Sequence, residues 1–265
     1  MISQIREAIR VVAEEEVMTR FMRHEYVRKA DGSLRTPADV EAQKKLRSLL
    51  CDIKPAPFLG EEMTENEQKK IMQNKENFLW CVDPLDGTSN FVNGIPFFAI
   101  SVALLEKGQS CVGVVYDPVG GEMFHAEKGG GAYLNESIIK RKVPPRALSQ
   151  AIAQIDFKRL PKLISSSLLK NPPFASQRNF GASSLEWCYL AKGRFDVYAH
   201  GSQKVWDYAA GALILSEAQG VLRTLYSADF WKGPIGSRSV VAASSPSMLD
   251  EWVERLRVAD PKIPQ

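Results

Sequence analysis

Three short acidic segments stand out, because each follows a strand-like apolar stretch or stands at the start of a predicted helix. They are Gly60-Glu61-Glu62, the run Asp83-Pro84-Leu85-Asp86-Gly87-Thr88, and Trp206-Asp207. Such chain ends meet at one edge of a sheet, so the carboxylates of the three segments could converge. Carboxylates that lie close together repel one another and have raised pKa values unless cations neutralise them. The segments therefore predict a site that binds cations.

The ligands available in these segments are oxygen atoms. Carboxylates and backbone carbonyls suit hard cations, and Mg²⁺ above all when a phosphate supplies further ligands. The sequence has no histidine cluster and no CxxC pair of the kind that zinc prefers. Its three histidines, His24, His125 and His200, lie outside the acidic segments. We interpret them as surface or core residues and expect Mg²⁺ rather than zinc.

The end of the second segment suits a phosphate group. Gly87 lets the backbone approach a ligand closely, and Thr88 can begin a helix whose N-terminus attracts an anion. Phosphoryl transfer depends mainly on positioning and charge neutralisation, so it needs no covalent nucleophile. Each segment alone has an ordinary interpretation, as a solvated turn or a helix cap. Their occurrence together and in this order is what indicates function.

The elements that position the first two segments follow from the pattern of apolar residues. Residues 4–23 have helical periodicity, and Thr36-Pro37 is a favourable start for a second helix, which Pro55 would end. Short strands are predicted at 58–60 and at 78–82, directly before the acidic segments. Further strands and a hairpin are predicted at 97–105, 111–116, 122–126 and 132–134.

The second half of the chain alternates strands with helices. Pro144-Pro145, in a basic stretch, is a plausible hinge between the halves. Strands are predicted at 151–156, 195–199 and 240–243. Helices are predicted at 160–169, 183–192, 208–218 and 247–258. The mixture indicates helices layered on two sheets.

Composition excludes several classes of function. The 265 residues include 34 Lys and Arg against 31 Asp and Glu, with no basic block, so a nucleic-acid or membrane partner gains no support. The N-terminus lacks the apolar core of a signal peptide, and no long apolar stretch is present. The four cysteines are widely spaced, which suits free thiols. We expect a soluble, cytoplasmic protein.

The full set of motifs resembles the inositol monophosphatase family, whose members are lithium-sensitive, Mg²⁺-dependent phosphatases. The resemblance is carried by Glu61-Glu62, by DPLDGTSNF at 83–91 and by WDYAAG at 206–211. Weaker similarities extend over nearly the whole chain, at 36–39, 130–133, 181–185 and 217–220. The long DPLDGT element is the most specific of them.

The resemblance implies a fold and an activity. The fold would be an αβαβα five-layer sandwich of the sugar phosphatase type, an α/β protein. Residues 1–142 would carry most of the metal ligands, and residues 143–265 would add the last one and the substrate pocket, in one compact unit. The chain would hydrolyse a small phosphorylated polyol or sugar with two or three Mg²⁺ ions, and a homodimer is favoured.

Metal ligands are also implied by the resemblance. Glu61, Asp83 and the carbonyl of Leu85 would hold a first ion, while Asp83, Asp86 and Asp207 would hold a second. Glu61 would also bind a third, looser ion.

Catalytic and phosphate-binding roles follow from the same resemblance. Thr88 and Glu61 would help to activate the attacking water, and Asp39 would support the site or polarise Thr88. Gly87 and Thr88 would donate backbone N–H groups to the phosphate.

The substrate is less narrowly defined. Ser183 and His200 would contact the leaving group, but animal inositol phosphatases have a glutamate where this chain has His200. Inositol 1-phosphate is the favoured substrate. Fructose 1,6-bisphosphate, 3′-phosphoadenosine 5′-phosphate and histidinol phosphate remain alternatives, as does a regulatory binding role on the same fold. The residues of interest for this choice are Arg178, Ser183, Glu186, His200, Gln203 and Lys204.

Overall fold

The computed structural model describes residues 1–23, 25–30, 32–73, 77–140 and 147–264. Its helices are α1 (Ile2–Val12), α2 (Pro37–Ile53), α3 (Glu65–Met72), α4 (Thr88–Val92), α5 (Lys162–Lys170), α6 (Ser183–Lys192), α7 (Val205–Glu217) and α8 (Pro246–Ala259). The hinge predicted at Pro144-Pro145, and with it the boundary between residues 142 and 143, lies outside the described residues.

The strands of the first half are β1 (Val27–Arg28), β2 (Leu34–Arg35), β3 (Phe58–Gly60), β4 (Phe78–Asp86), β5 (Ala99–Glu106), β6 (Gln109–Asp117), β7 (Glu122–Glu127), β8 (Ala132–Leu134) and β9 (Ser137–Ile138). Those of the second half are β10 (Ile152–Asp156), β11 (Ser176–Arg178), β12 (Val197–Gln203), β13 (Val221–Arg223) and β14 (Arg238–Ala243).

A seven-stranded sheet forms the first half, with its strands in chain order from β3 to β9. Strand β3 runs parallel to β4, so both strands end at the same edge. Helices α1 and α2 cover one face, where Ile9 and Leu46 join Trp80 and Val102 in one apolar cluster. Helix α2 begins as predicted, with Thr36 as its cap and Pro37 in its first turn.

A five-stranded sheet forms the second half, in the order β11-β10-β12-β14-β13. Strands β11, β10 and β12 are parallel, whereas β14 runs against both of its neighbours. Helices α5 and α8 cover the outer face, where Ile164 and Trp252 lie in one apolar cluster with Val197 and Val241.

Helices α6 and α7 fill the space between the two sheets. Trp187 of α6 and Leu213 of α7 share a buried cluster with Phe124 of the larger sheet and Tyr198 of the smaller one. The layers therefore alternate as helix, sheet, helix, sheet, helix. This confirms the predicted αβαβα sandwich.

Several predicted boundaries were wrong. Strand β4 continues through Asp86 instead of ending at Val82. Helix α7 begins at Val205, which places Asp207 inside its first turn. The first helix loses α-helical geometry after Val12 and continues as a π-helical turn and a 3₁₀ turn up to Arg20.

Five short strands were not predicted. They are β1, β2, β9, β11 and β13, and each has two or three residues. Segments this short contain no full period of apolar alternation, so pairing with a neighbour defines them rather than their own sequence. None of the described helices is long and apolar enough to span a membrane.

Candidate active site

The acidic segments lie where the two halves of the chain meet. Asp86, the last residue of β4, accepts hydrogen bonds from the backbone N–H and the hydroxyl of Ser184, both at 2.6 Å. Ser184 lies 98 residues further along the chain, in the first turn of α6. The site is therefore built from the carboxyl edge of the larger sheet and the first turns of the middle helices.

An irregularity in β4 shapes the second acidic segment. The pairing of β4 with β5 shifts register between Asp83 and Asp86, as in a β-bulge. Within this bend the Leu85 N–H donates to Asp83 Oδ1 at 3.1 Å. Bulges commonly re-aim side chains beside active sites, and here the bend sets the relative positions of the two aspartates.

The bend ends at Gly87, which has a positive φ of 90°. A Cβ at this position would lie 3.0 Å from Ala182 Cβ and 3.1 Å from the Phe97 carbonyl oxygen. Only glycine suits both the conformation and the space. Helix α4 starts at the next residue, Thr88, so the chain turns sharply from strand to helix here.

Thr88 links the bend to helix α2. Its Oγ1 lies 3.1 Å from Asp39 Oδ1 and 3.1 Å from the Leu85 carbonyl oxygen. Asp39 is fixed from its other side, since Oδ2 accepts from the N–H and the hydroxyl of Thr36 at 2.6 Å and 2.5 Å. Asp39 is fully buried, and this burial raises its pKa to about 6. Asp39 thus contacts Thr88, as its predicted role in polarising this hydroxyl requires.

Glu61 and Glu62 follow β3 and contact a lysine that the sequence analysis missed. Lys29 Nζ lies 3.0 Å from Glu61 Oε1 and 2.5 Å from Glu62 Oε1. Burial raises the pKa of Glu62 to about 7, against the opposing hydrogen bond from Lys29. Lys29 lies in the polar turn between β1 and β2, 32 residues before Glu61, and no motif marks it.

Four carboxylates act on one another electrostatically. The pKa values of Asp83 and Asp207 are raised well above their usual range, first by burial and then by the charges of Glu61 and Asp86. Burial and the charge of Glu61 raise the pKa of Asp86 to about 6, although the hydrogen bonds from Ser184 oppose this. The three segments therefore lie within electrostatic range of one another.

The donor chemistry of this group fits a hard cation. Its candidate side-chain ligands are all carboxylates, the backbone carbonyl of Leu85 lies between two of them in the chain, and such oxygen sets suit Mg²⁺. The side chains do not close into a compact cluster of three or more ligands within the described residues. Asp86 is hydrogen-bonded to Ser184, and Asp207 accepts from the Lys204 N–H at 2.9 Å. A divalent cation would relieve the mutual repulsion that the raised pKa values reflect.

The residues predicted to contact a leaving group differ in their exposure. Ser183 is half-buried at the start of α6, whereas His200 is buried in the middle of β12. His200 Nδ1 accepts from the Ser202 N–H at 3.1 Å, and Nε2 lies 3.5 Å from Asp156 Oδ2. His200 therefore contacts the protein through both ring nitrogens.

Glu186 anchors the loop that leads into α6. Its Oε1 accepts from the N–H groups of Phe180 and Gly181 at 3.1 Å and 2.9 Å, and its Oε2 accepts from the Tyr198 hydroxyl at 2.8 Å. Burial raises the pKa of Glu186 to about 7. Glu186 acts from behind the site, because it is buried and its contacts fix the backbone just before Ser183 and Ser184.

A cavity lies at the opposite end of β4. It has a volume of about 350 Å³, and its lining includes Phe78, Leu79, Lys107 and Ile235. Phe78 and Leu79 begin the strand that Asp86 ends. The cavity is thus separated from the carboxylates by the length of β4 and contains none of them.

Stability in the presence of a chelator should fall as the pH rises. The pKa values of Asp39 and Asp86 are raised from 3.8 to about 6, and that of Glu62 from 4.5 to about 7. The folded chain then binds protons more tightly than the unfolded chain. These groups therefore lower the free energy of unfolding as the pH rises from about 4 to about 7. In EDTA we expect a lower Tm at about pH 7.5 than at about pH 5.5.

Thermal unfolding in EDTA across this pH range checks the expectation, with the Asp86→Asn variant as a comparison. The variant should have a flatter profile, because it lacks one of the titrating groups. A Tm that rises steadily with pH in EDTA would contradict the assignment of raised pKa values.

Comparison with known proteins agrees with the geometry. Residues 1–260 match the inositol monophosphatase family. The inositol-1-monophosphatase of Caulobacter vibrioides is 36% identical over 233 residues, which cover 84% of this chain and 87% of the relative. The Nus factor SuhB of Vibrio cholerae is 34% identical over 238 residues, which cover 86% and 84%. The solved structure of a Thermotoga maritima IMPase has a TM-score of 0.83 at 26% identity and covers 99% of both chains.

The similarity spans both halves of the chain, and the family's acidic motifs coincide with the carboxylates that the fold brings together. The chain belongs to the inositol monophosphatase family, a family of metal-dependent phosphatases.

Proposed function

We propose that this chain hydrolyses small phosphate monoesters with Mg²⁺, with inositol 1-phosphate as the leading substrate. The observation that carries the proposal is the group of Glu61, Asp83, Asp86 and Asp207, which act on one another from three separate elements. The name of the Caulobacter relative supports the choice of inositol 1-phosphate.

The proposed metal ligands are those of the family motif. Glu61, Asp83 and the Leu85 carbonyl would hold one Mg²⁺, and Asp83, Asp86 and Asp207 a second, with a third, looser ion at Glu61. When bound, Mg²⁺ supplies positive charge to the phosphate oxygens and to the attacking water. Ser184 orients Asp86 through two hydrogen bonds, so this ligand has its position fixed by the second half of the chain.

Thr88 and Asp39 are proposed to orient the water. When the Thr88 hydroxyl donates a hydrogen bond to Asp39 Oδ1, 3.1 Å away, the lone pairs of Oγ1 remain free to accept a hydrogen bond from the water. Glu61 then accepts the proton that the water loses on attack. The Thr88 N–H opens α4 and has no acceptor within that helix, so it can donate to a phosphate oxygen, as can the Gly87 N–H.

A panel of phosphate esters tests the function directly. Phosphate release from myo-inositol 1-phosphate, glycerol 2-phosphate, fructose 1,6-bisphosphate and 3′-phosphoadenosine 5′-phosphate would be measured with Mg²⁺ and then with EDTA. We expect release from several esters with Mg²⁺ and none with EDTA. Millimolar Li⁺ in the same assay tests the sensitivity that the family resemblance implies. Undiminished release in EDTA would contradict the metal mechanism.

A regulatory binding role is a second candidate, because the Vibrio cholerae relative is named a Nus factor. The complete set of acidic motif residues favours the enzyme. A folded protein that released no phosphate from any ester of the panel would favour the binding role instead. We also propose a homodimer in solution, which light scattering would test by its mass.

A further inference from the structure

Three parallel strands of the smaller sheet end beside the candidate active site. Strands β10, β11 and β12 point the same way, so their carboxyl ends share one edge. Helix α7 follows β12 directly and carries Asp207 in its first turn. Ligands of open sheets with parallel strands commonly bind outside such carboxyl ends.

Each of the three strands ends at or near an exposed basic side chain. Arg159 lies three residues after β10, Arg178 is the last residue of β11, and Lys204 directly follows β12. In the larger sheet, by contrast, the parallel strands β3 and β4 lead into carboxylates. Glu61 directly follows β3, and Asp86 is the last residue of β4. The two sheets thus bring opposite charges to the two sides of the site.

The best-anchored of these cations is Arg159. Its N–H and its Nη1 donate to the two carboxylate oxygens of Asp156 at 3.1 Å and 2.6 Å. The turn that carries it lies tightly against β12, since a Cβ on Gly201 would come within 1.7 Å of the Arg159 carbonyl oxygen. The side chain of Arg159 is nevertheless 56% exposed. A guanidinium has five N–H donors, so donors remain for a ligand.

Arg159 is linked to the catalytic side through its partner Asp156. Asp156 Oδ2 also lies 3.5 Å from Nε2 of His200, on the strand that leads into α7 and Asp207. Arg178 is held more locally, through Nη1 to the Ser176 hydroxyl and the Gln177 carbonyl at 2.7 Å and 2.8 Å.

The acidic and imidazole groups on this side are already engaged. Asp156 is paired with Arg159, and both ring nitrogens of His200 face protein groups. A glutamate in place of His200, as in the animal inositol phosphatases, would offer a carboxylate to the hydroxyls of a polyol. This chain offers guanidinium and ammonium groups instead, which recognise phosphate and carboxylate.

We propose that Arg159, with Arg178 and Lys204 around it, binds a second anionic group on the leaving group of a substrate, a phosphate or a carboxylate. Esters that carry such a group are then hydrolysed in preference to matched esters that lack it. This inference rests on the proposed phosphatase function and specifies its substrate class. Phosphate and carboxylate are both oxyanions, tetrahedral and planar respectively. Either would bind at the basic edge of the smaller sheet, opposite the phosphate that is hydrolysed.

Two matched pairs of substrates test the proposal with Mg²⁺ present. Fructose 1-phosphate and fructose 1,6-bisphosphate differ by a phosphate, whereas glycerol 2-phosphate and 2-phosphoglycerate differ by a carboxylate. For at least one pair, we expect kcat/KM to be about tenfold higher for the ester with the second anionic group. The gain should come mainly from a lower KM, as for a charge-assisted contact. The difference should shrink at high ionic strength.

The Arg159→Gln variant separates recognition from structure. It should lower kcat/KM about tenfold for the ester that carries the second anionic group. For the matched ester without that group, kcat/KM should change less than about twofold. Arg255→Gln, on the outer helix α8, is the matched control and should change neither. A residue that only held Asp156 in place would affect both members alike.

Equal kcat/KM within both pairs, or an equal loss for both members in Arg159→Gln, would overturn the proposal. A preference confined to the first pair identifies a phosphate, and one confined to the second identifies a carboxylate. If neither the pairs nor inositol 1-phosphate released phosphate, the proposed function itself would fail, which is a separate result.

Discussion

The Asp207→Asn variant is expected to lose about a thousandfold or more in kcat, since a metal ion provides several kcal/mol of charge stabilisation in the transition state. The substitution removes one negative charge from the proposed metal site without changing the size of the side chain. The amide that it introduces can still accept the Lys204 N–H through its remaining oxygen, so the first turn of α7 should persist.

The same substitution should stabilise the protein in the presence of a chelator. Burial and the charges of Asp86 and Glu61 disfavour the ionised form of Asp207, which its raised pKa reflects. The neutral amide escapes this cost. We therefore expect a higher Tm than the parent in EDTA, together with a smaller rise in Tm on addition of Mg²⁺.

Steady-state kinetics and thermal unfolding, each with Mg²⁺ and with EDTA, would measure both effects. Asp250→Asn, on the exposed side of α8, is the control and should change neither quantity. A kcat within about tenfold of the parent at saturating Mg²⁺ would remove Asp207 from the proposed ligand set. A loss of activity with a lower Tm in EDTA would instead indicate damage to the fold.

The Thr88→Ala variant is expected to lose about a hundredfold or more in kcat, in the range typical of groups that position or transfer a proton. The hydroxyl of Thr88 contacts Asp39 and the Leu85 carbonyl, and alanine removes both contacts. Asp39 Oδ1 would then lose its hydroxyl donor, and the water would have one acceptor fewer. KM should change little, because the backbone N–H groups of Gly87 and Thr88 remain.

Thr88→Ser is the matched comparison, since it keeps the hydroxyl and removes only a methyl group. It should keep kcat within about tenfold of the parent. If Thr88→Ala and Thr88→Ser lost activity equally, the methyl group and the packing of α4 would matter rather than the hydroxyl. Near-normal kcat in Thr88→Ala would remove Thr88 from the mechanism.

The start of α2 and the candidate acidic residues could be predicted, because each has a local signal. Thr36-Pro37 marked the start of α2 through its capping chemistry, and the structure has the cap in place. Asp83 and Asp86 were marked by an apolar strand that leads directly into them. The resemblance to a known family then supplied the five layers, which the apolar clusters bear out.

The roles of two basic residues beside the candidate site could not be predicted. Lys29 reaches Glu61 from a polar hairpin whose strands have two residues each, too short for a periodic signal. Arg159 follows a strand as an ordinary exposed residue, and its importance depends on Asp156 and on the parallel pairing of β10 with β12. Such relations depend on tertiary topology, which no single segment specifies.

The hydrogen bonds between Asp86 and Ser184 have a consequence for how the protein folds. They join residues 98 positions apart, so this part of the site forms only after a long loop has closed. Loop closure over such a distance is entropically costly and slows the formation of non-local structure. Residues 1–140 could therefore acquire much of their sheet while the site is still incomplete. During refolding, enzymatic activity should return after β-structure does, and tight Mg²⁺ binding should mark the last step of assembly.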